Sequence, residues 1–138
     1  MARLGAAAIG GKGVTMRKWI AFGALFAATA VVAGAFGAHG LKERFDERQM
    51  EWWSTAVDYH FWSTTGLFVA GFLPSARASR AAAWCLALGV LVFSGTLYAM
   101  ALGAPRWFGA ITPIGGVLLI AGWLLLAWAA RGLAAARA

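Results

Sequence analysis

The sequence predicts an all-α membrane protein: a four-transmembrane-helix bundle with a short amphipathic periplasmic helix before the second span. Three observations predict it. The 138 residues are 62% hydrophobic and only 12% charged, with a mean hydropathy of +0.72, against roughly 25% charged residues in soluble domains. The apolar residues gather into four runs of about twenty, enough to cross a hydrocarbon core about 30 Å thick at about 1.5 Å per residue. All five carboxylates, Glu43, Asp46, Glu47, Glu51 and Asp58, lie between the first run and the start of the second, and every other charge is basic. The runs are apolar on every face, which excludes the alternating strands of a membrane barrel.

Residues 1–15 are rich in Ala and Gly and read as a disordered or unused extension, with Met16 as a natural start and 16–138 as the membrane domain. The first span covers 19–38 and follows Arg17 and Lys18. Its basic flank and small residues also fit a signal peptide, but the run exceeds the usual 7–15 apolar residues, and cleavage would leave an odd number of spans. An intact first helix is expected. Leu41, Phe45, Trp52, Ala56 and Tyr59 then recur at helical spacing while charges take the other faces. Asp46 followed by Gln49 forms a capping-box pattern, so a helix begins near Glu47, with Trp52 and Trp53 in the interfacial belt. The second span covers 54–73 and stops at Pro74; the third covers 82–102 and is broken by Gly103-Ala104-Pro105. The fourth covers 110–130 and ends at Arg131. Pro113 removes an amide donor there and is expected to kink the helix near its outer end.

With four spans, both termini share a side. That side carries Arg3, Lys12, Arg17, Lys18, Arg77, Arg80, Arg131 and Arg137. The other carries only Lys42, Arg44, Arg48 and Arg106, together with the acids. The positive-inside rule places the termini in the cytoplasm and the acidic segment in the periplasm or exterior, for a multi-pass protein of the inner (plasma) membrane. The net charge of +7 does not signal nucleic acid, because the cations flank apolar runs singly or in pairs instead of forming a patch with interleaved aromatics. Cys85 is the only cysteine, so an intrachain disulfide is impossible.

The candidate polar cluster is His39, Asp58, Tyr59 and His60. Asp58 falls about 6 Å inside a span beginning at Ser54, and intramembrane carboxylates are functional candidates. Its expected partners are His39, which would tie the first helix to the second, and Tyr59 or polar groups of neighbouring helices. Two histidines from two helices also allow a haem iron between them; no cofactor and no metal site is otherwise expected. Gly34, Gly37, Ser94, Gly95, Thr112, Pro113, Gly115 and Gly116 are the expected helix-packing positions, where small residues let backbones approach. No nucleophile–base arrangement, phosphate loop or metal-ligand spacing is present in the sequence, so a catalytic site is not expected.

Four motifs carry a resemblance. Gly34-Ala35-Phe36-Gly37-Ala38-His39-Gly40-Leu41, Trp53-Ser54-Thr55-Ala56-Val57-Asp58-Tyr59, Phe93-Ser94-Gly95-Thr96-Leu97-Tyr98, and Thr112-Pro113-Ile114-Gly115-Gly116 with Ala121-Gly122-Trp123 occur in that order. Together they resemble the domain of unknown function 423 family of small inner-membrane proteins, over about 16–130. The resemblance implies four transmembrane helices and no established biochemical activity. Relatives usually carry Gln after the tyrosine and His three positions later, where this chain has His60 and Ser63. Residues three apart share a helix face, so His60 is expected to take that imidazole's place. Three roles follow: a structural or accessory protein meeting lipid or a larger membrane complex; a small transporter or channel using Asp58 as a homo-oligomer; or a haem- or quinone-associated anchor.

Overall fold

The computed structural model describes the backbone of residues 3–73 and 77–135, and side chains over 18–73 and 77–131. The expectation for residues 1–15 falls outside the described side chains. Four α-helices account for nearly all of it: α1 (Arg3–Phe36), α2 (Glu47–Phe72), α3 (Arg77–Ala101) and α4 (Thr112–Ala135). Among the described residues there is no strand. A π-helical turn, Gly37–Leu41, ends α1, and a 3-10 turn, Arg106–Ala110, precedes α4.

Three stretches are long and apolar enough to cross a membrane: Lys18–Leu41, Arg77–Ala101 and Arg106–Arg131. The remaining helix, α2, is long enough at 26 residues, but Glu47, Arg48, Glu51 and Asp58 dilute its apolar character.

The start of α2 is capped as its sequence requires. Asp46 accepts the Gln49 amide at 2.7 Å, and Gln49 Oε1 accepts the Asp46 amide at 3.0 Å. Each thus satisfies an amide that the helix start leaves open. The amphipathic turns expected from Glu47 continue into the second apolar run without a break or bend of their own: they are the first turns of one α2. No Gly, Pro or second cap interrupts the sequence between Glu47 and the apolar run, so nothing ends a helix there.

The Pro113 kink is also absent. Pro113 is the second residue of α4, where its missing N–H would have had no partner inside the helix and its fixed φ suits helix initiation. The fourth helix thus starts at the motif that was expected to bend it.

Close approaches fix the register. A Cβ on Gly23 would meet Leu67 and Phe68, and one on Gly37 would meet Trp53, so α1 and α2 run antiparallel. Gly66 faces Leu86 and the Tyr59 ring lies 4.5 Å from Phe93, which sets α3 antiparallel to α2. Gly89, Gly115 and Gly122 meet Leu119, Phe93 and Leu86, which sets α4 antiparallel to α3. The main core joins Leu67, Ala83, Leu86, Val90, Leu119 and Leu126. Contacts of α2 run chiefly to α1 and α3, and only sparsely to α4.

Both ends of the bundle are charged. Lys18 and Arg80 share a crevice with Trp19 and Trp84 at one end. Asp46, Glu47, Arg48, Glu51 and Arg106 share a depression at the other. Between them, among the described residues, the only Asp, Glu, Lys, Arg or His side chains are Asp58 and His60.

Candidate functional site

Asp58 and His60 are two positions apart, about 200° around a helix at 3.6 residues per turn. They therefore serve opposite sides of α2, and each lines a cavity of its own.

His60 faces α1 and α3. Its Nδ1 lies 3.3 Å from Tyr98 Oη and its Nε2 lies 3.4 Å from Thr29 Oγ1. Thr29 donates its one hydroxyl hydrogen to the carbonyls of Leu25 and Phe26, at 3.1 and 3.0 Å. Its lone pairs are thus what His60 meets, so Nε2–H donates to Thr29 and Nδ1 accepts from the Tyr98 hydroxyl. One imidazole in this way links three helices. Phe26 packs on the ring edge-on at 5.5 Å. The groove beside it, about 300 Å³, is lined by Leu25, Phe26, Thr29, His60, Ser94 and Tyr98 among others. Ser94 Oγ is buried there without a hydrogen-bond partner.

On the other side, Asp58 is exposed on the bundle surface and lines an open groove of about 570 Å³ with Tyr59, Trp62, Ser63, Phe93, Gly116 and Trp123 among its walls, of which Tyr59, Trp62 and Trp123 are themselves exposed. Ser63 is buried and donates to the Tyr59 carbonyl at 2.6 Å. The expected take-over of the Ser63 position by His60 does not occur, because the two side chains line different cavities.

The expected cluster is therefore not one site. His39 is exposed on the π-helical turn, and no hydrogen bond or ion pair joins it to Asp58 among the described residues. Asp58 lies on the side of α2 that faces α3 and α4, away from α1, and the contact between α1 and α2 at this level is made by Trp53 instead. Its Nε1 donates to the Ala33 carbonyl at 2.9 Å, and it is 7% exposed. A Cβ on Gly37 would stand 2.6 Å from that Nε1. Because His39 lies beyond Gly37, which packs on Trp53, it stands at least about 10 Å from His60 along the bundle, counting seven residues at 1.5 Å. No contact joins the two histidines among the described residues, and His60 is engaged with Thr29 and Tyr98 instead.

The packing positions divide similarly. Gly37 and Gly115 sit at tight approaches, Gly115 against the Phe93 backbone. Gly34 and Gly116 have ordinary room, 3.5 Å from Val57 and 3.7 Å from the Phe93 ring, and Gly95 faces open space. Thr112 Oγ1 lies 2.8 Å from Thr96 Oγ1. Each hydroxyl also has a carbonyl of its own helix turn within reach, Phe93 for Thr96 and Phe108 for Thr112, so either can be the donor, and the pair ties α3 to α4. Sequence reasoning missed Thr29, although it is the only hydroxyl residue in the first apolar run. It also missed the role of Trp53, read as an interfacial ring.

The model for the family described as "Protein of unknown function (DUF423)" matches residues 33–116. A UPF0382 membrane protein of Staphylococcus haemolyticus is 45% identical over 113 residues, covering 80% of this chain and 93% of that protein. The chain belongs to the DUF423 family. The UPF0382 membrane protein YwdK of Bacillus subtilis is 39% identical over 119 residues, 83% of this chain and 97% of its own length. No solved structure matches. The family match spans His39, Asp58, His60, Tyr98 and Gly115, so both cavities of this DUF423 chain lie largely within it.

Proposed function

We propose that this chain is a four-span inner-membrane protein with cytoplasmic termini, acting as a structural or accessory subunit that meets lipid or a partner complex and catalyses nothing. The observation that carries the reading is the distance between the charged ends. Close approaches put Phe72 of α2 level with Lys18 and Arg80, and Glu51 level with Arg106. From Glu51 to Phe72 is 21 positions, about 31 Å at 1.5 Å each, which matches a hydrocarbon core of about 30 Å. Because α2 lies antiparallel between α1 and α3, it crosses whatever they cross. The basic excess at the Lys18 end sets that end in the cytoplasm.

The accessory role is supported by how the polar side chains are used. Thr29, His60 and Tyr98, Thr96 and Thr112, and Trp53 with Ala33 each tie one helix to another. Large apolar side chains such as Val31, Val32, Phe36, Val117, Leu124 and Trp128 remain exposed on α1 and α4 for lipid or a partner. Phosphatase and fluorescent-protein fusions at positions 42, 73, 104 and the C-terminus test the topology. The expected result is phosphatase activity at 42 and 104 and fluorescence at 73 and the C-terminus. A phosphatase-active fusion at 73 would refute four spans. Native mass spectrometry from mild detergent tests the role, with a stoichiometric complex as the expected result.

A further inference from the structure

We propose that the Asp58 cavity binds a lipophilic organic cation, its positive charge on the carboxylate and its apolar body against the surrounding rings. The inference rests on the four-span reading above and adds a ligand to it. Asp58 lies seven residues inside Glu51, about 10 Å below the charged outer end. An ionised carboxylate at that depth is costly unless a partner compensates it. None is supplied from within: among the described residues Asp58 forms no ion pair and no hydrogen bond, and its cavity is lined by no Lys, Arg or His. α2 contributes Tyr59, Trp62 and Ser63, α3 contributes Phe93, and α4 contributes Gly116 and Trp123. Four of these are aromatic, and ring faces attract cations, most strongly where water is excluded.

The class of cation follows from the rest of the cavity. A metal ion needs several ligands, and no group of three His, Cys, Asp or Glu side chains is present among the described residues. A volume of about 570 Å³ falls in the range of small-molecule sites. An aminophospholipid is a poor fit, because bringing its ammonium to Asp58 would drag its phosphate about 10 Å into hydrocarbon. A cation carried on an apolar body meets no such cost.

The probe is tetraphenylphosphonium, measured by equilibrium dialysis against the full chain in phosphatidylcholine nanodiscs, with empty discs subtracted. Expected is saturable binding of about one per chain that neutral triphenylphosphine oxide does not displace. Asp58→Asn keeps the shape, removes the charge, and is expected to weaken binding tenfold or more, since a charge-assisted contact contributes about 1.5–3 kcal/mol. Gly116→Leu keeps the carboxylate and fills the cavity past the Phe93 ring, and it is expected to weaken binding as much. Equal binding by Asp58→Asn and wild type, displacement by the neutral analogue, or no saturable binding would each overturn the proposal. So would loss of binding on adding phosphatidylethanolamine, which would assign the carboxylate to a lipid headgroup. With the fusion topology intact, any of these sinks the site alone; a phosphatase-active fusion at 73 sinks the span reading instead.

Discussion

Trp53 and Gly37 form the junction whose disturbance the structure specifies in most detail. Trp53→Phe removes the Nε1–H bonded to the Ala33 carbonyl at 2.9 Å; interhelical hydrogen bonds in bilayers average about 0.6 kcal/mol, with a maximum near 1.7. It also withdraws part of a ring packed against Phe36, Phe45 and Tyr98. Full truncation of a buried aromatic costs about 3–5 kcal/mol, so partial truncation adds about 1. The total is about 2 kcal/mol. Gly37→Ala places a methyl 2.6 and 2.7 Å from Nε1 and Cδ1 of the same indole, overpacking that costs about 1–3 kcal/mol. The atoms the methyl strikes are those that Trp53→Phe thins out. The double variant is therefore expected to lose about 1 kcal/mol less than the two single losses combined. Reversible unfolding in mixed sodium dodecyl sulfate micelles, followed by helical circular dichroism, measures all four proteins. Additivity within about 0.5 kcal/mol would refute the reasoning, because it would mean that the methyl and the indole edge do not share one space.

Two further outcomes follow from the same assay. Gly115→Ala forces a methyl into the Phe93 backbone, which cannot turn aside, and is expected to destabilise by about 1–3 kcal/mol or more. Gly95→Ala enters open space and is expected to be neutral or to stabilise by up to about 1 kcal/mol from helix propensity; equal losses at the two glycines would contradict the packing. Asp46→Ala removes the side chain that accepts the Gln49 amide and is expected to cost about 1 kcal/mol, with no effect counting against the cap.

Most of the helical architecture was legible because its causes are local. Asp46 and Gln49 announce the start of α2 three residues apart, and Gly103, the only residue with φ near +103°, marks the end of α3 where a side chain would be strained. Pro113 was legible but misread: proline near the first turn of a helix starts it. The division of the polar cluster was also present in the sequence, since 58 and 60 cannot share a face of one helix. What no pattern announces is the π-helical turn with Trp53 seated against Gly37. It involves a contact between residues sixteen positions apart on two helices, which no local pattern encodes. The same holds for Thr29, whose hydroxyl matters only once His60 is brought beside it.

The helix with the weakest claim to the membrane is the one that packs between α1 and α3. On an insertion scale a central Asp or Lys costs about 2.5–3.5 kcal/mol, so α2 alone would insert poorly with Asp58 in its body. Its polar atoms are divided among neighbours: Gln49 donates to the last carbonyl of α3 at 2.9 Å, Trp53 donates to α1, and His60 donates to α1 and accepts from α3. Thr64 and Ser63 return theirs to α2's own carbonyls. Tyr59 and Trp52 pack on neighbouring side chains without a hydrogen bond among the described residues, and Asp58 is left exposed beside the rings of its groove. On the four-span reading such a helix gains its place from α1 and α3, which are long and apolar enough to cross, and that carboxylate is where the proposed cation enters.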